Sequence, residues 1–408
     1  MKNVKFQMTN DPVATARGSV TRSNTISARR SAGILAGETQ ASGACFLMAM
    51  SIELLIDFNE FWSRLNEDIR LAQKSIFVQT FALEGDQVGQ KLSDALLSSP
   101  VQDKRILADS FTQIVLSDRF RYSPANIFDQ ELRQEARETE RMIHKLKAAG
   151  VAVSFTNPYA LSPRKLLSRN HKKLIVIDSA TAYIGGINFS EHNAAWHDMM
   201  VRIDVADAVE FMREDFLSTW KGRDQVADLE LNGVEVFTLD GRTNRGVFQR
   251  VLDLIDAAQD SIFVESPYIT FPFYERLREA ARRGADVKIV TPEQNNWSCF
   301  ANYARRESAR SQIDLRLYQG RMSHLKAMLI DDTYLIAGSS NFDYLSYRLY
   351  QEIIGIFTDA QLIKEFRERV MLPDFANSIA VDCNASPVGK HWLRFQIRVL
   401  DAALTILT

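Results

Sequence analysis

The chain has 408 residues, 46% of them apolar and 25% charged, which is ordinary globular usage with room for two cores. A formal net charge of −2 provides no global basic field and argues against nucleic acid as a partner. Cys45, Cys299 and Cys383 form no CxxC pair, so a secreted disulfide scaffold is excluded and a reducing, cytoplasmic setting fits. The longest apolar runs fall short of the roughly 20 residues that span a bilayer, and the start has no signal-peptide hydrophobic stretch. The expectation is a soluble or peripheral protein.

Residues 1–50 read as a disordered leader, because Ser, Thr, Ala and Gly dominate and Arg17, Arg22, Arg29 and Arg30 outnumber Asp11 and Glu38. A targeting peptide is the competing reading. Patterned chain begins at SIELLIDFNEFW, and AQKSIFVQ at 72–79 then reads as a buried strand following a helix. That segment returns as AQDSIFVE at 258–265. A polar stretch near 120–140 precedes the helix around RMIHKLKAAG and the strand VAVSF. The second half writes the same order as FYERLREAARRGADVKIVTP: helix, stop at Gly284, strand. The fold class is therefore α/β, built as two duplicated halves. The first half carries 33 more residues between strand and histidine motif than the second, assigned to that polar stretch. The joint falls in the charged segment at 221–235, which divides the chain into halves at 51–225 and 226–376 and a tail at 377–408.

The clearest repeat is HKKLIVIDSATAYIGGIN at 171–188 and HLKAMLIDDTYLIAGSSN at 324–341. Read as a strand, a turn near Ser179 and Ala180, and a returning strand, the first copy pairs His171 with Asn188 and Lys173 with Gly186. The second pairs His324 with Asn341 and Lys326 with Ser339. Alternation then places one imidazole, one ammonium and one amide on a common face, with a small residue opposite the lysine leaving room for a ligand. Asp178 and Asp331 have the wrong parity and belong to the turn as structural residues. Lysine charge and amide donors suit a phosphate group, and histidine titrates near neutrality as nucleophile or proton donor. Two facing copies would supply a nucleophile on one side of a phosphodiester and a general acid on the other. Asp198 and Glu352 follow their histidines by 27 and 28 residues, at the head of further strands, and would fix the ring tautomers.

One such motif is weak, but two among six histidines set aside the reading of incidental polar residues in a duplicated fold. His144 and His391 read as surface residues. His192 and His197 flank NAAW without an HExxH or Cys/His cluster, so no metal ligand is assigned and no cofactor is expected.

At these motifs the chain resembles the phospholipase D superfamily, marked by two HKD motifs, and most resembles its bacterial cardiolipin synthases, from about Ile52 to Val370. The resemblance implies two mixed-sheet halves flanked by helices, packed about a pseudo-twofold axis with the site between them, a phosphohistidine intermediate and no metal. It implies His171 as nucleophile and His324 as general acid, then base. Lys173, Lys326, Asn188 and Asn341 become the phosphate clamp, and Asp198 and Glu352 orient the histidines, although near-symmetry leaves the roles of the two histidines reversible. Leu345 stands where such synthases carry arginine, and the membrane helices of some members are lacking, which leaves the acceptor alcohol open.

The implied activity is transfer of a phosphatidyl group to phosphatidylglycerol, with hydrolytic phospholipase D and a phosphodiesterase or nuclease as alternatives and a noncatalytic scaffold as the reading from another class. The partners expected are a phospholipid substrate and a membrane surface, with the protein peripheral on the inner face of the cell membrane. Tyr268, Phe271, Phe273 and Tyr274 read either as an apolar rim for acyl chains or as strand-end packing. As a helix, residues 389–408 place Arg394, Arg398, Asp401 and Thr405 on one polar stripe, which suits a membrane anchor or a helix docked on the protein's own core.

Overall fold

Short β-branched and aliphatic runs fold as strands in both halves of the computed structural model, which describes residues 51–158, 167–309, 311–381 and 395–399. The leader at 1–50 and most of the tail lie outside the described residues. The first half contains β1 (Ile52–Ile56), β2 (Ser75–Thr80), β3 (Asp103–Asp109), a small hairpin of β4 (Val115–Leu116) and β5 (Arg119–Phe120), β6 (Ala152–Thr156), β7 (Leu174–Ile177), β8 (Thr181–Gly185) and β9 (Met199–Ile203). The second contains β10 (Ala227–Leu231), β11 (Val234–Asp240), β12 (Ser261–Glu265), β13 (Asp286–Pro292), β14 (Asp314–Tyr318), β15 (Ala327–Ile330), β16 (Tyr334–Gly338), β17 (Gln351–Phe357) and β18 (Ser378–Ala380).

The first sheet runs β1, β9, β8, β7, β2, β3, β6, and the second β10, β11, β17, β16, β15, β12, β13, β14, β18. Without its outer strands β10 and β18, the second repeats the first strand for strand, as a duplicated unit must. In each, three strands are parallel (β2, β3, β6; β12, β13, β14) and the hairpins beside them antiparallel, so both sheets are mixed.

Helices close the units with local signals. The helix Phe273–Arg283 stops at Gly284, whose φ of 106° needs a residue without Cβ, and Asp129 caps Gln130–Ala148 by accepting from Leu132 N at 3.0 Å. Phe61, Ile76, Leu92 and Ile106 belong to a core of the first half; Phe248, Ile262, Leu277 and Ile289 belong to one of the second. A third core is shared, with Phe77, Leu174 and Val201 packed in one cluster with Phe263, Leu329 and Ile353. Burial of each such side chain stabilises by about 1.5–3 kcal/mol, so the shared cluster holds the two halves as one body.

The helix Ala206–Trp220 ends just before the expected joint, and β10 begins within it. At the other boundary, β18 pairs with β14, so the second sheet takes in residues just past 376. Of the expected tail helix, 395–399 is described: it is helical, Ile397 packs into the second-half core, Arg398 donates to Glu275 at 3.0 Å, and Phe395 and Val399 face solvent.

The motif hairpins differ from the expected register by one residue. Ile177 pairs with Thr181 and Leu174 with Ile184, and likewise Ile330 with Tyr334 and Ala327 with Ala337. The left-handed pair that makes each turn sits one residue earlier than expected, at Asp178 and Ser179 (φ 56° and 55°) and at Asp331 and Asp332 (50° and 48°). Asp178 accepts from the backbone N–H groups of Gln73, Lys74 and Ser75 at 2.6–2.8 Å, and Asp331 from those of Gln259, Asp260 and Ser261 at 2.9 Å. Each aspartate therefore ties its hairpin to the start of β2 or β12, the structural role its parity indicated.

Candidate active site

Each histidine lies in a short segment ahead of its strand and crosses to the other half. Isolated bridges join Asn170 to Gln351 and Ser323 to His197. His171 N donates to Gln351 O at 2.9 Å, and His324 N to His197 O at 2.7 Å. Because Gln351 and His197 immediately precede Glu352 and Asp198, the carboxylates are exchanged between halves. His171 Nδ1 is 2.9 Å from Glu352 Oε1, and His324 Nδ1 is 2.7 Å from Asp198 Oδ2. A proton on His171 Nδ1 directed at Glu352 leaves its Nε2 free for chemistry, whereas His324 Nδ1 meets both Asp198 and, at 2.9 Å, Lys326 Nζ.

His171, His324, Asn188 and Asn341 line one cavity of about 240 Å³. Asn188 Oδ1 faces Thr80 Oγ1 at 3.4 Å and Ala82 N at 3.3 Å, which leaves its N–H groups for a ligand, while Asn341 Oδ1 is buried without a hydrogen-bond partner. Lys173 and Lys326 are buried behind the histidines, each Nζ donating to its own histidine's carbonyl. Gly186 does not face Lys173. A Cβ there would lie 2.1 Å from Asp198 Oδ1, so the glycine makes room for the carboxylate that holds His324. Its counterpart Ser339 instead donates Oγ to Glu352, joined by Ser346 Oγ at 2.8 Å.

Burial lowers the His171 imidazole to about 4 and Lys173 pushes the same way, outweighing Glu352. Burial also holds His324 well below its usual value, reinforced by Lys326, Lys173 and His171. Lys326 is lowered to about 8 by burial, and Asp198 is raised to about 6 by burial. Burial also lowers Lys173 well below its ordinary value, so the pocket sets two imidazoles of low proton affinity beside the Lys326 ammonium, an environment that an anionic phosphodiester complements.

Behind the histidines the halves differ in residues that the motif comparison did not reach. Asn170 accepts from Gln79 at 2.9 Å and is held through its backbone by Asp109, which pairs with Arg169 at 3.2 Å. At the equivalent place Ser323 donates to Glu265 at 2.5 Å, and His197 is clamped between Asp57 (Nδ1, 2.7 Å) and Asp374 (Nε2, 2.8 Å). Burial alone would lower His197, but its bonds to Asp374 and Asp57 raise it to about 11. The repeat itself carried a signal, since Gln79 and Glu265 close AQKSIFVQ and AQDSIFVE.

Among the described residues, His197, Glu265 and Asp374 could offer three ligand atoms to a metal, all within 4.8 Å of one another. Both ring nitrogens of His197 already meet carboxylates, which outweigh the nearby Arg321 guanidinium, itself paired with Asp57. That arrangement suits an imidazolium, which cannot ligate a metal.

Duplicated mixed sheets with two crossed histidine–carboxylate pairs on one cavity define a phospholipase D-type protein. The chain belongs to the family described as cardiolipin synthase, PLD-like domain, which matches residues 65–220 and 251–371. It is 25% identical over 372 residues to the probable cardiolipin synthase YwiE of Bacillus subtilis (strain 168), covering 84% of this chain and 68% of that one. It is 29% identical over 374 residues to cardiolipin synthase B of Salmonella typhimurium (strain LT2), covering 84% of each. In fold it is similar to phosphatidylserine synthase of Haemophilus influenzae Rd KW20, with a TM-score of 0.62 at 18% identity over 87% of this chain and 94% of that one. The protein is a phospholipase D-superfamily enzyme of the phosphatidyltransferase type. No helix among the described residues is long and apolar enough to cross a membrane.

Proposed function

We propose that the enzyme makes cardiolipin, transferring a phosphatidyl group to the hydroxyl of phosphatidylglycerol through a phosphohistidine. The observation that carries this reading is the crossing of Glu352 to His171 and of Asp198 to His324 over one cavity. Neutral His171, its Nδ1–H held by Glu352, attacks phosphorus through Nε2. The P–O bond to the departing alcohol breaks as the P–N bond forms, and His324 gives that alcohol a proton. An acceptor hydroxyl then loses its proton to His324 and displaces His171.

Burial is the largest cause of the low affinity of His324 for protons, and Lys326 and Lys173 add to it; a phosphodiester anion facing those lysines offsets their part. Asn188 and Asn341 donate to the nonbridging oxygens. The chain's own lysines and amides thus supply the charge stabilisation that a divalent ion provides elsewhere.

Access to such a substrate puts the protein at the inner face of the cell membrane as a peripheral enzyme. The alternative is hydrolysis by the same site, since transfer depends on excluding water. Expression in a host lacking cardiolipin, followed by lipid mass spectrometry, separates the two. New cardiolipin is expected; phosphatidic acid alone would establish the hydrolase, and an unchanged lipid profile would reject both.

A further inference from the structure

Polar side chains that the repeated motifs do not include reach the cavity among its aromatic lining. Around His171 the wall is aromatic and aliphatic: Phe81 meets the ring edge-on at 5.0 Å, Tyr350 is 5.7 Å away, and Phe111 and Leu345 complete that side. Near His324 the wall is aromatic as well, with Trp196 4.8 Å from the ring, and it also brings Asp118, Asn193, Tyr268 and Asn296 to the cavity.

Asp118 stands at the tip of the β4–β5 hairpin, inside the extra residues of the first half, with φ at 57°. The hairpin is anchored by its neighbour Ser117, whose N–H donates to Glu84 at 3.1 Å and whose Oγ donates to Glu135 at 2.8 Å. Asp118 Oδ2 accepts from Asn296 Nδ2 of the second half at 3.1 Å, and Asn296 Oδ1 accepts from Tyr268 OH at 2.5 Å. Its other oxygen, Oδ1, lies 3.7 Å from His192 Nε2. His192 is also drawn by Glu84 at 3.5 Å. Burial opposes ionisation of Asp118, but His192 outweighs it, and the carboxylate also acts electrostatically on His324.

An anionic oxygen on this wall repels a phosphate and accepts from a hydroxyl. Burial lowers His192, but Asp118 and Glu84 outweigh it and raise the group to about 10, and that imidazolium is unfavourable to an ammonium headgroup. Resting on the phosphatidyltransferase reading, we propose that Asp118, held by Asn296, is the acceptor-recognition group of this enzyme and selects an uncharged polyol headgroup. One hydroxyl of a glycerol unit meets His324 Nε2 for deprotonation, and the neighbouring hydroxyl donates to Asp118 Oδ1. Asp343 also lines the cavity, where burial raises its carboxyl to about 7.

The test uses the full chain on phosphatidylcholine vesicles with glycerol, 1-propanol or ethanolamine as water-soluble acceptors, measuring each transfer product against phosphatidic acid. The wild type is expected to prefer glycerol. Asp118→Gly, which keeps the left-handed turn, is expected to lose about tenfold of the glycerol-to-propanol ratio, the worth of one charge-assisted hydrogen bond. Asp118→Asn, also tolerant of that turn, should fall between them. A glycerol-to-propanol ratio unchanged in both variants, or a wild type that prefers ethanolamine, would overturn the subsite while leaving the phosphatidyltransferase reading intact. A wild type that consumes no phospholipid would overturn that reading itself. Circular dichroism and retained consumption of phosphatidylcholine separate lost selectivity from a lost fold.

Discussion

The two halves place the same histidine in the same position of the same sheet, yet support it with different chemistry. His171 takes its carboxylate from Glu352, which also accepts from Ser339 and Ser346, and behind it stand the amides Asn170, Gln79 and Gln351 with the Asp109–Arg169 ion pair. His324 takes its carboxylate from Asp198, and directly behind stands the His197 cluster with Asp57, Asp374, Glu265 and Arg321. Duplication supplied two equivalent imidazoles. Divergence one layer further back gives each a different electrostatic setting, as two halves with complementary tasks require.

The strongest way to break this comparison is to remove either ring. His171→Ala and His324→Ala are each expected to lower turnover of a phosphodiester substrate by about 10³-fold or more, since neither half supplies the other's role. His144→Ala is the control. Substantial turnover in either variant, measured by product formation, would show that one histidine suffices.

The crossing of carboxylates comes next. Glu352→Gln and Asp198→Asn are expected to cost about 100-fold or more each, by loss of the imidazole's partner. In a double-mutant cycle, Glu352→Gln added to His171→Ala should cost little further, whereas Asp198→Asn combined with Glu352→Gln should compound. Independence of His171 and Glu352 in that cycle would contradict the exchanged pairs.

Loss of the His197 clamp is a stability effect with a defined pH dependence. The imidazole holds its proton up to about 11 in the fold, against an ordinary value of 6.5. Its stabilisation is therefore full below about 6.5 and is lost as pH rises toward 11. His197→Gln leaves buried carboxylates without their cation and is expected to cost about 3–5 kcal/mol at pH 6. The gap in melting temperature between wild type and variant should narrow by pH 10; a gap that widens with pH would invert the assigned charge.

The smallest expected effect is that of a chelator. Turnover should be unchanged in excess EDTA, because Lys173, Lys326, Asn188 and Asn341 carry the phosphate charge. A loss restored by a divalent ion would assign the His197, Glu265 and Asp374 group a metal after all.

The sequence by itself determined the duplication, the mixed α/β halves and the eight polar residues that recur with them, because each was legible in local spacing: His-x-Lys, the following Asn, and an acid on the next strand. It also gave Asp178 and Asp331 a structural place at the turns, where they bond the backbone at the starts of β2 and β12. It misjudged the hairpin register by one residue, since that depends on which two residues adopt left-handed backbone, and aspartate and serine do not announce this as glycine would.

Only the tertiary structure decided which carboxylate serves which histidine, that Gly186 makes room for Asp198, and that Asp118 and His197 stand beside the site. These are contacts between residues far apart in the chain: 181 positions for His171 and Glu352, 126 for His324 and Asp198. Local periodicity specifies a strand and the face of a side chain. The packing of Phe77 and Leu174 in one core with Phe263 and Leu329 sets which half each motif meets, and no spacing within one half contains that information.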